Sequence, residues 1–235
     1  MFRHLRTVAA ILALIAAGGG LSWLLVASPW LRYESLVVEG AVHANAAELR
    51  HLADLSTGAP LVELDLDAAA VGVARHPWVK SVTASRQFPN GVLLTVVERA
   101  PVALLLTDAL YLVDDTGVPF IRAKSGQLDL PVLTGLGGLA ESQPELARRL
   151  VAEGLEWLRA AERDGGVPIS EISELRFAAE SGYTLFLRNG GELLLGFAEP
   201  ERVARLPRLV AHGLDLSVPH RIDLVSTELA VVTPL

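Results

Sequence analysis

The chain has 235 residues, 51% of them hydrophobic, and its 20 Lys and Arg against 27 Asp and Glu leave a net charge of −7. That length holds one large domain or two small ones, and the acidic balance argues against nucleic acid as a main partner, because phosphate neutralisation needs clustered Lys and Arg. There is no cysteine, which removes disulfide scaffolds, thiol nucleophiles and cysteine metal sites together.

Arg3, His4 and Arg6 precede an uncharged run whose most apolar part is Val8 to Ala27. Roughly 20 helical residues span ~30 Å, the thickness of a bilayer's hydrocarbon core. Trp23 and Trp30 stand near the outer end, where amphipathic rings favour the interface. The basic residues precede the run, so the positive-inside rule puts residues 1–7 in the cytoplasm and the chain after Ala27 outside. The expectation is an uncleaved anchor. Its competitor is a cleaved signal peptide, which has a shorter apolar core and a small-residue cleavage site. Here Pro29 follows the candidate site near Ala27-Ser28. Arg3 and Arg6 go with the anchor, so the exported part is more acidic than the whole.

From Tyr33 the order reads strand, helix, helix, strand, strand. Tyr33 to Glu39 is a β-rich run stopped by Gly40. Asn45 is placed to cap a helix over Ala46 to Leu55, and Asp67 a second over Ala68 to Arg75, which Pro77 ends. Trp78 to Arg86 and Val92 to Glu98 flank the turn Phe88-Pro89-Asn90-Gly91 and read as a hairpin. The first strand is free to join that hairpin's edge.

Beyond Pro101 the texture is mostly β. Leu110 to Val113 and Val118 to Ile121 flank the turn Asp114-Asp115-Thr116-Gly117, and Leu130 to Leu133 is a short extended piece. Pro144 to Arg163 carries an apolar stripe of Leu146, Leu150, Val151, Leu155, Trp157 and Leu158 at helical spacing. Ile172 to Phe177, Tyr183 to Arg188 and Glu192 to Phe197 are three strands joined by Gly-containing turns. A helix follows over Glu199 to His212. Arg221 to Val225 and Glu228 to Val232 close the chain as strands.

The sequence shows no catalytic constellation. Its six histidines include no H-E-x-x-H pair, and there is no G-x-S-x-G elbow. Gly135-Leu136-Gly137-Gly138 lacks the Lys-Ser/Thr ending of a phosphate loop and reads as a loop glycine cluster. Asp114-Asp115 reads as a pair of solvated turn formers. No metal, cofactor or small-molecule substrate is implied.

Several strings occur in a recognisable order: Val37-Val38-Glu39-Gly40, then His76-Pro77-Trp78-Val79-Lys80-Ser81-Val82 with Arg86-Gln87-Phe88-Pro89, then Val96-Val97-Glu98-Arg99-Ala100-Pro101-Val102-Ala103. Leu130-Pro131-Val132-Leu133-Thr134-Gly135 and Arg221-Ile222-Asp223-Leu224 complete the set. Together they make the chain resemble the FtsQ/DivIB family of bacterial cell-division proteins over nearly its whole length. The strand-helix-helix-strand-strand part resembles a POTRA domain.

The resemblance implies an α+β protein: a cytoplasmic tail (1–7), a transmembrane helix (8–27), a POTRA-like domain (33–101) and a β-rich domain (102–235) with an antiparallel sheet and two helices. It further implies a non-enzymatic scaffold of the division machinery at the septum. Such a scaffold is single-pass in the inner membrane with its C-terminal domain periplasmic, and binds FtsB-like and FtsL-like bitopic proteins to help control septal peptidoglycan synthesis. The alternative is an envelope-assembly or transport factor that uses its POTRA-like domain to chaperone exported polypeptides.

The last strand is where a partner is expected to dock. At a sheet edge its backbone would take up an incoming strand, with alternating side chains setting the register. An interior strand paired on both sides is the other reading of the same residues. The candidate partner-binding segment is Asp223, Leu224, Val225, Ser226, Thr227, Glu228, Leu229, Ala230, Val231 and Val232, and a proline at Ala230 or Val231 is expected to break docking. A second expected surface is the groove beside the strand Trp78 to Arg86, serving recruitment through the POTRA-like module.

Overall fold

A computed structural model describes residues 11–20, 28–124, 129–197, 199–226 and 229–235. The chain divides between Arg99 and Ala100 into two compact units. The anchor expected over Val8 to Ala27 lies in part outside the described residues. Residues 11–20 form a helix, α1, and among the described residues no helix is long and apolar enough to cross a membrane.

In the first unit a short 3-10 turn, Pro29–Leu31, precedes β1 (Ser35–Glu39), α2 (Ala46–Ala53), α3 (Leu66–Val73), β2 (Val79–Gln87) and β3 (Gly91–Glu98). Asn45 caps α2 as expected, its side chain accepting the Ala47 N–H at 2.8 Å. The cap of α3 is Asp65, not Asp67. Its Oδ1 accepts the Ala68 N–H at 2.9 Å, the N3 geometry of an N-cap, so the helix starts two residues earlier than expected. Strand order is β1-β3-β2, with β1 parallel to β3 and β2 antiparallel to it.

The helices cover one face of this sheet. Leu49, Val73 and Leu94 are fully buried there, each contributing about 1.5–3 kcal/mol by leaving water. Gly72 lets α3 approach α2, since a Cβ there would sit 2.2 Å from the Leu52 carbonyl oxygen. Gly40 turns the chain out of β1 at a φ of +82°, a conformation that side chains with a Cβ resist.

The second unit is a nine-stranded sheet: β4 (Pro101–Leu106), β5 (Leu110–Asp114), β6 (Pro119–Arg122), β7 (Val132–Thr134), β8 (Ile172–Ala178), β9 (Gly182–Leu187), β10 (Glu192–Gly196), β11 (His220–Asp223) and β12 (Val231–Pro234). Their spatial order is β12-β11-β10-β9-β8-β7-β4-β5-β6. The sheet is mixed, not antiparallel as expected: β4 with β7, β7 with β8, and β10 with β11 run parallel. Each parallel joint is bridged by a long connection, as parallel neighbours require.

Helix α5 (Pro144–Arg163) lies on the sheet and buries Val151, Leu155, Trp157 and Leu158. Tyr183 is buried between Trp157 and Phe177, and its hydroxyl donates to the Leu150 carbonyl on α5 at 2.7 Å. Burial raises its pKa, and the Glu153 charge adds to that.

Three expectations change here. Gly137 and Gly138 are not loop glycines but the first turn of a short helix, α4 (Gly137–Ser142). The helix expected over Glu199 to His212 is a 3-10 stretch, Pro200–Arg205, running into α6 (Leu206–Ala211). Pro207, lacking an N–H, fits only the first turn of a helix, so the helical path restarts there. Asp114 is fully buried, not solvated. Its Oδ1 accepts the Thr116 N–H at 2.9 Å, the Thr116 hydroxyl at 2.6 Å and the Val118 N–H at 3.1 Å, which ties the β5–β6 turn.

Candidate partner-binding edge

The last strand, β12, ends the nine-stranded sheet, and among the described residues it pairs with β11 alone. It runs from Val231 to Pro234, starting three residues and ending two residues later than the expected Glu228 to Val232. The register is His220 with Pro234, Arg221 with Thr233, Ile222 with Val232 and Asp223 with Val231. The Leu235 N–H donates to the Pro219 carbonyl at 3.3 Å, which makes that a hydrogen-bonded pair. Bonded and non-bonded pairs alternate along an antiparallel ladder. Thr233 and Val231 therefore point their backbone groups at β11, while Val232 and Pro234 point theirs away. Proline sits where a missing N–H costs the sheet nothing.

This parity corrects the expected effect of a proline at Val231. That N–H faces β11, so the substitution would damage the sheet's own ladder and not its free side. The outward donor inside the strand is Val232. Ala230 precedes the strand and is half-buried against the core of the unit.

The ten candidate residues do not form one contiguous contact strip. Leu224 is buried in the core, and its N–H donates to the Leu194 carbonyl on β10 at 2.9 Å. Asp223 belongs to β11, and its Oδ1 accepts the Val225 N–H at 2.8 Å to turn the chain out of the strand. Thr227 and Glu228 lie outside the described residues. Val225, Leu229, Val231 and Val232 are exposed, Leu229 most of all at 69%, and Leu235 is also exposed next to them. The structure thus brings together a short open strand and a group of solvent-facing aliphatic side chains around it.

Arg205, which no motif or spacing marks, holds the approach to this strand. Its guanidinium donates to the Ser226 carbonyl at 2.6 Å and to the Leu224 carbonyl, and its Nε donates to the Arg202 carbonyl at 3.3 Å. One side chain from the 3-10 stretch therefore fixes both ends of the bend between β11 and the segment leading to β12. On the sheet face beside β12, Arg221 pairs with Glu192 of β10 through two contacts of 2.9 Å.

In the first unit β2 is an edge strand, beside which recruitment was expected. Trp78 stands just before it, half-buried, with the His43 ring stacked on it at 4.3 Å and 10° between planes. Glu98, from the motif at the end of β3, anchors the loop after β1. Its carboxylate accepts the N–H groups of Val42 at 2.8 Å, His43 at 2.9 Å and Ala44 at 2.8 Å, and contacts His43 Nδ1 at 2.8 Å. Burial pushes this carboxyl up, but the Ala44, His43 and Val42 backbone donors and the His43 ring outweigh it and bring it down to about 2. Among the described residues no group of three or more His, Asp or Glu is placed to hold a metal ion.

Two family models match the chain: a POTRA domain of FtsQ type over residues 31–99, and a cell division protein FtsQ/DivIB C-terminal domain over residues 103–225. The second match ends before β12. Among curated proteins, the chain is similar to a cell division protein FtsQ of Myxococcus fulvus, 35% identical over 88% of this chain and 75% of that one. It is 39% identical to the protein of that name from an Anaeromyxobacter species over 86% of this chain and 70% of that one. The protein of that name from Streptomyces collinus is 33% identical over 92% of this chain and 86% of that one.

Proposed function

The chain belongs to the FtsQ/DivIB family of cell-division proteins, and on that premise we propose that it is a non-enzymatic scaffold of the divisome. It is held in the inner membrane by residues 8–27, with residues 1–7 in the cytoplasm and both folded units, which divide between Arg99 and Ala100, in the periplasm. It gathers FtsB-like and FtsL-like bitopic proteins at the septum and through them helps control septal peptidoglycan synthesis. Strand β12 takes up an extended segment of such a partner by β-augmentation. The POTRA-type unit serves recruitment beside β2.

The observation that carries the docking reading is that, among the described residues, the outer side of β12 pairs with no strand and lies next to exposed Leu229 and Val231. Soluble proteins usually blunt such an edge or keep it covered. Family membership does not favour the envelope-assembly alternative.

Two experiments test the proposal. Depleting the protein should give filamentous cells and a fluorescent fusion should collect at midcell; secretion defects with normal division would sink the scaffold role. The periplasmic segment of an FtsB-like partner should bind the full chain and fail to bind Val232→Pro; equal binding to both would sink the docking role of β12.

A further inference from the structure

Three connections of the first unit meet at one end of its sheet, the end where the chain enters from the apolar run. The Glu34 N–H donates to the Asn90 carbonyl at 2.9 Å and the Asn90 side-chain amide donates to Glu34 Oε2 at 2.8 Å, which joins the entry segment to the β2–β3 turn. Arg32 bridges to Pro60, and its guanidinium donates to the Gly58 carbonyl at 2.7 Å. Arg86, at the end of β2, donates to the carbonyls of Leu61 at 2.9 Å, Val62 at 3.2 Å and Leu64 at 2.6 Å. The entry segment, the loop before α3 and the hairpin tip are thereby tied into one surface.

That surface exposes large apolar side chains that the core does not use. Trp30 is 81% exposed, Phe88 at the hairpin tip 65% and Val62 39%. Single exposed hydrophobes are ordinary; two aromatics and a valine on three mutually tied loops are not scattered. Their position along the chain says what covers them. The apolar run ends at Ala27, and three residues reach at most ~11 Å, so Trp30 stands within the interfacial zone of any bilayer that run enters. Ser28 to Arg32 spans at most ~15 Å when extended, and the 3-10 turn between them, closed by Leu31 N–H to the Ser28 carbonyl at 3.2 Å, shortens it further.

We infer that this end of the POTRA-type unit is a membrane footing: Trp30, Val62 and Phe88 rest in the headgroup layer of the bilayer that holds the anchor. The footing rests on the anchoring reading proposed above. The Trp30 indole, an apolar body with a polar N–H, is the kind of side chain this layer favours, and Phe88 and Val62 add apolar area beside it. Arg32 and Arg86 on this surface are balanced by Glu34 and Glu63, so the contact is apolar, not a net attraction to anionic lipid, and it does not depend on salt. Its consequence is a unit held at a set height and tilt above the membrane, with β2 presented sideways.

The chain has no cysteine, so single labels are clean. The full chain is reconstituted in nanodiscs of phosphatidylethanolamine and phosphatidylglycerol carrying a headgroup-proximal nitroxide lipid, with a fluorophore on Gln87→Cys, Glu63→Cys, Val42→Cys or Gly20→Cys. Val42, 83% exposed beyond the opposite end of β1, is the reference far from the footing. Quenching at positions 87 and 63 should exceed that at 42 by roughly threefold or more. Adding Phe88→Ser to Gln87→Cys should lower it towards the reference, and high salt should leave it unchanged. Quenching at 20 with 87 and 63 no different from 42 overturns the footing alone, as does loss of quenching in salt. No quenching at 20 overturns the anchoring reading and the footing with it.

Discussion

Val231 stands opposite Asp223 in a pair whose backbone groups point at each other, while Val232, one residue further, points its N–H and carbonyl out of the sheet. Adjacent positions on one strand therefore answer different questions. Val232→Pro should abolish binding of the partner's periplasmic segment and leave the melting temperature of the second unit unchanged. Val231→Pro should lower that melting temperature by removing a ladder bond, a loss of about 1 kcal/mol. Calorimetry together with a pull-down separates the two.

Arg205 is expected to act on β12 without touching its edge. Arg205→Gln frees the carbonyls of Leu224 and Ser226, so the Val231 and Thr233 amides should exchange with solvent at least about tenfold faster. The amides of Leu185 and Leu193, in the strands behind, should keep their protection. Arg205→Lys, which still reaches a carbonyl, should fall between. Hydrogen exchange read by mass spectrometry or NMR checks this.

Glu98 links the first unit's stability to acid. Its carboxyl titrates at about 2 in the folded unit against 4.5 in its absence. The group therefore contributes fully above about pH 4.5, and the contribution is lost as the pH falls towards about 2. Glu98→Ala leaves three backbone donors without their acceptor and should cost about 3 kcal/mol at neutral pH. The variant should also lose that acid-dependent part of the unfolding curve, which denaturant titrations from pH 6 to pH 2 would reveal.

Tyr183→Phe tests the clamp between α5 and the sheet. It removes the hydroxyl that donates to the Leu150 carbonyl and keeps the ring between Trp157 and Phe177. The second unit should lose about 1 kcal/mol, visible as a lower denaturation midpoint with an unchanged slope.

The elements legible from sequence are those whose signals are local. The Asn45 cap, the hairpin around Phe88 to Gly91 and the stripe of α5 each rest on neighbours within a turn or a strand. Strand β4 escaped because Val102 to Leu106 is a continuous apolar run with no alternation; the run reflects β4's place inside the sheet, between β5 and β7. Glu98 and Arg205 escaped for a different reason. Glu98's partners lie 54 to 56 residues away, and Arg205's partners in the bend lie 19 and 21 away. Both bind backbone atoms, which carry no sequence signature. At the candidate edge, the composition of residues 228–232 marked a strand but could not fix its start, because the pairing with β11 decides that.

Pro234 has a consequence for how this molecule meets copies of itself. In an antiparallel pairing of two β12 strands, each would bring a proline to the shared seam, so one outward donor would be missing from each side and the Val232 N–H would be left to serve it. A foreign segment without proline meets a single missing donor, the N–H that Pro234 lacks, and can still donate to the Pro234 carbonyl. Pro234 thus makes pairing with a second copy of this strand poorer than pairing with a proline-free segment.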